Sequence, residues 1–145
     1  MYKNSLIRTR RKEFKLSKDD LTPIYNSKTF CLYEDIDQIK SLGLAKGGSL
    51  ENAIVVKDGS ILNQDGLRYR DEFVNHKILD CLGDLMLLGY RVFGHIKTSQ
   101  GGHQLTNTLL RKFVADESNW EFEGLEEKEK KRIGSKFLRP IAVNA

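Results

Sequence analysis

Residues 71–88, DEFVNHKILDCLGDLMLL, constrain this chain most: the run has no proline and is full of good helix formers. At about 100° per residue, Val74, Ile78, Leu79, Cys81, Leu82, Leu85 and Met86 share one broad face. Such a face has to be buried against a second layer, so the segment predicts an amphipathic helix packed on other elements. His76, Asp80 and Asp84 fall one above the next on a narrow stripe of the opposite side. Gly89 follows the last apolar residue and predicts the helix stop.

Upstream, Thr29–Tyr33 (TFCLY) and Asn52–Lys57 (NAIVVK) read as strands. Between them Ile36, Ile39 and Leu42 recur at helical spacing, Gly43 predicts a stop, and LAKGGSL at 44–50 reads as a loop. Together these residues predict a β-α-β unit over about 29–57. Asp58-Gly59 signals a turn, and short strands are expected at Ser60–Asn63 and Leu67–Tyr69. Beyond the long helix, Tyr90–Lys97 alternates like a strand, His103–Ala115 resumes helical spacing, and Trp120–Phe122 is expected to add a last strand. The fold class predicted is α+β, helices layered on a mixed sheet.

At 145 residues the chain suits one compact domain. Hydrophobic residues at 39% against charged residues at 30%, with 2 prolines, exclude a collagen-like or largely disordered chain. The longest apolar run, Leu85–Leu88, is far too short to cross a bilayer, and no signal-peptide pattern opens the chain. Cys31 and Cys81 make neither a disulfide framework nor a cysteine zinc site, so reduced thiols in a cytoplasmic protein are expected. Residues 1–18 hold seven basic side chains against the one acid Glu13, a net +6 that leaves −2 for the rest. Such an arm can meet nucleic acid by counterion release, or it can be a solvated segment. Phe14, Leu16, Leu21 and Ile24 interrupt it as a packed edge strand would.

Two places carry candidate chemistry. On the stripe, an imidazole and a carboxylate four residues apart point the same way and can reach one cation, as His76 and Asp80 would. The alternative is a solvent-facing stripe in which Lys77, Asp80 and Asp84 make ordinary surface pairs. His103, after Ser99-Gln100-Gly101-Gly102 and at a helix start, is placed to act as general acid or to stabilise an oxyanion. Asp84 can orient its ring; the alternative is a capping or surface histidine. His95, on a predicted strand, reads as structural.

KTF at 28–30, GGS at 47–49, LRYRDEFVNHKxLD at 67–80, GD at 83–84 and GGHxLxN at 101–107 stand in one order and spacing. From Ser27 to Trp120 the chain resembles the C-terminal half of the zinc-dependent UDP-3-O-acyl-N-acetylglucosamine deacetylases, which carry out the committed step of lipid A synthesis in Gram-negative bacteria. The resemblance implies one of that family's two β-α-α-β domains, incomplete, with a β-α-β insert. It divides the chain into a basic segment at 1–26 that supplies remaining strands, a deacetylase domain at 27–122, and a charged tail at 123–145.

By the same resemblance His76 and Asp80 bind catalytic Zn²⁺, and Lys77 contacts the nucleotide-diphosphate end of the substrate. His103, with Asp84 as partner, stabilises the oxyanion and protonates the leaving amine. Thr29 and Phe30 line the sugar end of the pocket, and the insert, with Ile36, Ala45 and Val55, forms an apolar passage for the acyl chain. Two departures matter. Gln100 stands where many relatives have lysine, and none of His76, His95 and His103 follows a glutamate. The family's Glu-His pair, supplying the general base and third zinc ligand from the first domain, is thus missing from these 145 residues. Weak zinc binding and little turnover are expected of the chain alone. The alternatives are a non-catalytic subunit that binds a UDP-sugar or a separately encoded first half, and, more distantly, nucleic-acid binding through the basic arm.

Overall fold

The computed structural model of the chain describes residues 6–7 and 11–123. Its chain forms two compact units, Met1–Asn107 and Thr108–Ala145.

The first unit is built on a three-stranded mixed sheet, β1 (Thr29–Leu32), β2 (Ala53–Lys57) and β3 (Ser60–Ile61), in that order. β1 and β2 run parallel, Phe30 opposite Ile54 and Leu32 opposite Val56. Parallel neighbours need a crossover. Here a single 3₁₀ turn at Tyr33–Asp35 and α2 (Ile36–Ser41) supply it, and Gly43 ends it at φ 70°. This is the predicted β-α-β unit.

β2 and β3 are antiparallel, joined by Asp58-Gly59 alone. Both of these residues have positive φ, 47° and 73°, as a type I′ turn demands of its central pair. β3 stops two residues short of expectation because Asn63 takes over with its side chain. Its Oδ1 accepts from the Val55 N–H at 3.0 Å, and its Nδ2 donates to the carbonyls of Leu50 and Ala53.

Ile54 and Val56, both fully buried, meet Phe73 from α3 (Glu72–Leu85) to form the core, flanked by Phe30, Leu32, Ile61 and Leu67. Phe30 meets Phe73 edge-on, ring centroids 4.9 Å apart. The apolar face read from periodicity is only half covered, and Met86 at its end is 69% exposed. The deepest residues of α3 are instead Glu72, Phe73 and Asn75. Two of them are polar because the first turn of α3 abuts polar groups that need partners: Asn75 accepts from the Lys12 side chain Nζ and donates to the Pro23 backbone carbonyl. A 3₁₀ turn at Met86–Leu88 and Gly89, at φ 74°, end the helix where the sequence predicts.

Three expected strands are absent. Leu67–Tyr69 is irregular and bends at Arg68 and Tyr69, because the Arg68 N–H donates to Glu72 and the Tyr69 carbonyl accepts the Glu72 N–H, committing that backbone to the start of α3. Tyr90–Lys97 is irregular and, past Tyr90, exposed, with His95 in solvent rather than in a sheet. Alternating side chains specify a face, but a ladder needs a second backbone, and none of the three described strands pairs with this segment. Trp120 has extended backbone (φ −153°, ψ 157°), yet Trp120–Phe122 joins no ladder among the described residues.

The basic segment, where described, carries no strand either. Residues 11–15 are irregular, residues 16–18 form a turn with Leu16 56% exposed, and α1 (Thr22–Tyr25) buries Ile24. Residues 1–5, 8–10 and 124–145, with most of the predicted charged tail, lie outside the described residues. No helix among the described residues is long and apolar enough to cross a membrane.

In the second unit, Asp116 caps a 3₁₀ turn at Glu117–Asn119 by accepting from the Ser118 N–H and hydroxyl. Trp120 packs edge-on against Phe122 at 5.2 Å. α4 (His103–Ala115), whose residues up to Asn107 belong to the first unit, has the bounds predicted from its spacing.

If Ile54 and Val56 anchor the core, Ile54→Ala is expected to cost about 2–4 kcal/mol through lost burial and a residual cavity. The midpoint of urea unfolding measures it; a loss under about 1 kcal/mol would contradict this placement of the core.

Candidate metal and acid-base site

Spacing of four on α3 stacks His76, Asp80 and Asp84 in one row, and the row is not a solvent-facing stripe. The side chains of His76, Asp80 and Asp84 are 15%, 12% and 13% exposed. The pairing of Lys77 with Asp80 that the sequence also allows is present, but with the carboxylate largely covered.

His76 Nε2 lies 3.1 Å from Asp80 Oδ1, and its other ring nitrogen, Nδ1, lies 3.3 Å from the Ser27 carbonyl. A carbonyl only accepts, so Nδ1 is the donor there. In the neutral ring that leaves an Nε2 lone pair facing a carboxylate. Two acceptors so close need a cation between them, either a proton on Nε2 or a metal ion.

Two ligands about 2.1 Å from one tetrahedral ion stand about 3.4 Å apart, near the separation found here. A ligating histidine characteristically donates its second ring N–H to a carbonyl, as His76 does. His76 and Asp80 therefore fit two positions of a zinc site. Among the described residues no group of three or more His, Cys, Asp or Glu side chains is arranged to hold a metal ion.

Asp80 is also bound on its other oxygen, Oδ2, by Lys77 Nζ at 2.9 Å. Burial alone would raise its pKa, but hydrogen bonds from His76 and Lys77, with their charges, outweigh burial and hold it at about 2. Asp80 is thus anionic across the physiological range, the state a ligand requires. Lys77 Nζ also stands 5.6 Å over the Phe30 ring, and that ring approaches His76 at 6.3 Å. Thr29, one residue earlier on β1, is exposed.

His103 opens α4 and is 70% exposed, yet its Nδ1 lies 2.9 Å from Asp84 Oδ1, and its Nε2 lies 3.7 Å from Asp80 Oδ1. The carboxylate fixes Nδ1–H and turns Nε2 toward the His76–Asp80 pair. Asp84 Oδ2 is buried with no hydrogen-bond donor among the described residues. The loop ahead of His103 is tight. Gln100 has φ 54°, and a Cβ on Gly101 would stand 2.7 Å from Thr98 Oγ1, so any larger residue there requires the Thr98 side chain to move.

The structure thus gathers His76, Lys77, Asp80, Asp84 and His103, with Phe30 beside them. Of the residues expected along an apolar passage, Val55 is buried, Ile36 is half-buried, and Ala45 is exposed at φ 50°. The sequence reading passes over Ser27 and Glu72. A backbone carbonyl carries no sequence signal. Glu72, four residues before His76, reads as an ordinary acid in a helix's first turn.

The family model for UDP-3-O-acyl N-acetylglycosamine deacetylase matches residues 1–115. Curated proteins named UDP-3-O-acyl-N-acetylglucosamine deacetylase are similar over most of the chain. That of Haemophilus influenzae (strain PittGG) is 46% identical over 120 residues, 83% of this chain and 39% of the relative. That of Histophilus somni (strain 129Pt) is 49% identical over the same shares. That of Mannheimia succiniciproducens is 49% identical over 107 residues, 74% of this chain and 35% of the relative. The chain therefore spans well under half the length of these relatives.

Linkage fixes the sign of a pH effect in the metal-free chain. Asp80 titrates below its ordinary 3.8, so its contribution is complete above that pH and is lost as pH falls through about 2. At 1.36 kcal/mol per unit, Asp80→Asn is expected to cost about 2 kcal/mol near neutral pH, with the gap narrowing as pH drops below about 4. Urea midpoints across that range measure it. A cost that does not change with pH would contradict the ionised, paired Asp80.

Proposed function

The chain belongs to the UDP-3-O-acyl-N-acetylglucosamine deacetylase family, and on that premise we propose that residues 27–122 carry one side of a zinc-dependent deacetylase site acting on a UDP-linked acylated amino sugar. We assign the reaction to lipid A biosynthesis in the cytoplasm of a Gram-negative bacterium. The observation that carries this reading is the His76–Asp80 pair, Nε2 to Oδ1 at 3.1 Å, with His76 Nδ1 directed at a carbonyl.

His76 and Asp80 are the two ligands this chain offers to Zn²⁺. When bound, the ion polarises the acetamide carbonyl and lowers the pKa of a water. The remaining work falls to side chains. Asp84 holds Nδ1–H of His103, so Nε2 faces the reacting carbonyl; as an imidazolium it stabilises the developing oxyanion and then gives its proton to the leaving amine. Lys77, already half free of cover, supplies a cation to the diphosphate. Thr29 and Phe30 line the sugar end, and the β-α-β unit, with Ile36, Ala45 and Val55, carries the acyl chain.

The general base and a third ligand are not among these residues, since no histidine here follows a glutamate. They belong to a Glu-His pair on another stretch of chain. Residues 1–145 alone therefore bind zinc weakly and turn over little. Catalytic zinc takes three protein ligands and keeps one position open, so two ligands leave the ion poorly held.

A zinc titration tests the reading. The 145-residue chain is expected to bind one ion weakly, and His76→Ala or Asp80→Ala each to weaken that further by more than about 100-fold, beyond the usual outer-shell effect. Binding unchanged in both variants would overturn the assignment. Deacetylation of the UDP-sugar by the chain alone at an ordinary enzyme rate would overturn the half-site.

A further inference from the structure

Glu72 is fully buried, and both of its carboxylate oxygens are committed to backbone N–H groups. Oε1 accepts from Lys28 at 2.9 Å and Oε2 from Arg68 at 2.5 Å. A buried carboxylate is tolerated only when so satisfied. The Lys28 N–H is one end of a peptide group whose other end is the Ser27 carbonyl, and that carbonyl accepts from His76 Nδ1 at 3.3 Å. Glu72 and His76 stand one helical turn apart on α3. The helix thus grips one planar peptide group at both ends, with a carboxylate on its N–H and an imidazole on its C=O.

We propose that Glu72 is a positioning residue for His76, acting through the Ser27–Lys28 peptide group. This rests on the reading of His76 as a metal ligand and names what aims that ligand. A carboxylate on the N–H polarises the peptide and strengthens its carbonyl as an acceptor. The strengthened carbonyl holds the Nδ1–H, and the Nε2 lone pair is then fixed toward Asp80. Arg68, held by the second oxygen, locks Glu72 itself, so the carboxylate cannot rotate away from Lys28. Outer-shell partners of this kind change metal affinity by about 10–100-fold.

The test uses the full 145-residue chain. Glu72→Gln keeps volume and one acceptor but turns an NH₂ toward one of the two N–H groups. Zn²⁺ affinity is expected to fall about 10–100-fold. In nitrogen NMR the Lys28 amide and the His76 Nδ1 resonance are expected to move together, though residue 72 reaches the ring through the peptide. A Lys28 shift with His76 Nδ1 and zinc affinity unchanged would overturn the proposal and leave Glu72 a purely structural residue. His76→Ala, titrated alongside, separates the two claims. If it leaves zinc affinity unchanged, the metal-ligand reading fails, and the coupled shifts alone decide whether Glu72 positions the ring. If Glu72→Gln does not fold, the wild-type chain is read for scalar couplings across the two hydrogen bonds, Lys28 N–H to the Glu72 carboxylate and His76 Nδ1–H to the Ser27 carbonyl. Both present supports the proposal; either one absent overturns it.

Discussion

Glu72, His76, Asp80 and Asp84 recur every fourth residue along α3, and this row of three acids and one imidazole sets the terms for everything around it. Side chains four apart on a helix drift by about 40° per step, so the row winds slowly across one face. At its start it meets the backbone at Ser27–Lys28 and Arg68. In its middle it meets Lys77 and presents the His76–Asp80 pair, and at its end it meets His103. Each anion has a specific partner of opposite or donor character, which is the condition for keeping it covered. The apolar core of Ile54, Val56 and Phe73 lies beside the row's first turn and fixes the helix against the sheet.

The row divides into a part that is structurally closed and a part left open. Both oxygens of Glu72 are occupied, whereas Asp80 has Lys77 on one oxygen and turns the other toward His76. Asp84 has one oxygen on His103 and one buried oxygen with no donor among the described residues. His103 itself is mostly exposed while its ring is oriented from beneath. An exposed, oriented imidazole beside a two-donor pair suits a group that must meet an incoming substrate, whereas Glu72 suits one that must never move.

Much of the frame was legible because it rests on local rules. α4 follows from its apolar spacing, the β2–β3 hairpin from Asp58-Gly59, and the end of α3 from Gly89. The parallel pairing of β1 with β2 follows from a helix lying between two short apolar runs. What was not legible depends on partners distant in sequence. Tyr90–Lys97 alternates correctly, but no described strand offers it a ladder. Leu67–Tyr69 has strand-like residues, but Glu72 claims its backbone. Periodicity also misplaced the depth of α3, since hydropathy does not see that Glu72 and Asn75 meet backbone groups across the interior. Of the candidate site, spacing and resemblance singled out His76, Lys77, Asp80, Asp84 and His103, which the fold brings together. The Ser27 carbonyl and the acid that grips its peptide were not.

We propose that α3 presents an imidazole and a carboxylate, and no sulfur, to a metal ion. X-ray absorption at the zinc edge of the zinc-loaded chain tests it most directly. Nitrogen and oxygen neighbours near 2.0–2.2 Å are expected, with the more distant scattering of one or more imidazoles. A sulfur shell near 2.3 Å, which would put Cys31 or Cys81 on the ion, or a shell without imidazole, would contradict it.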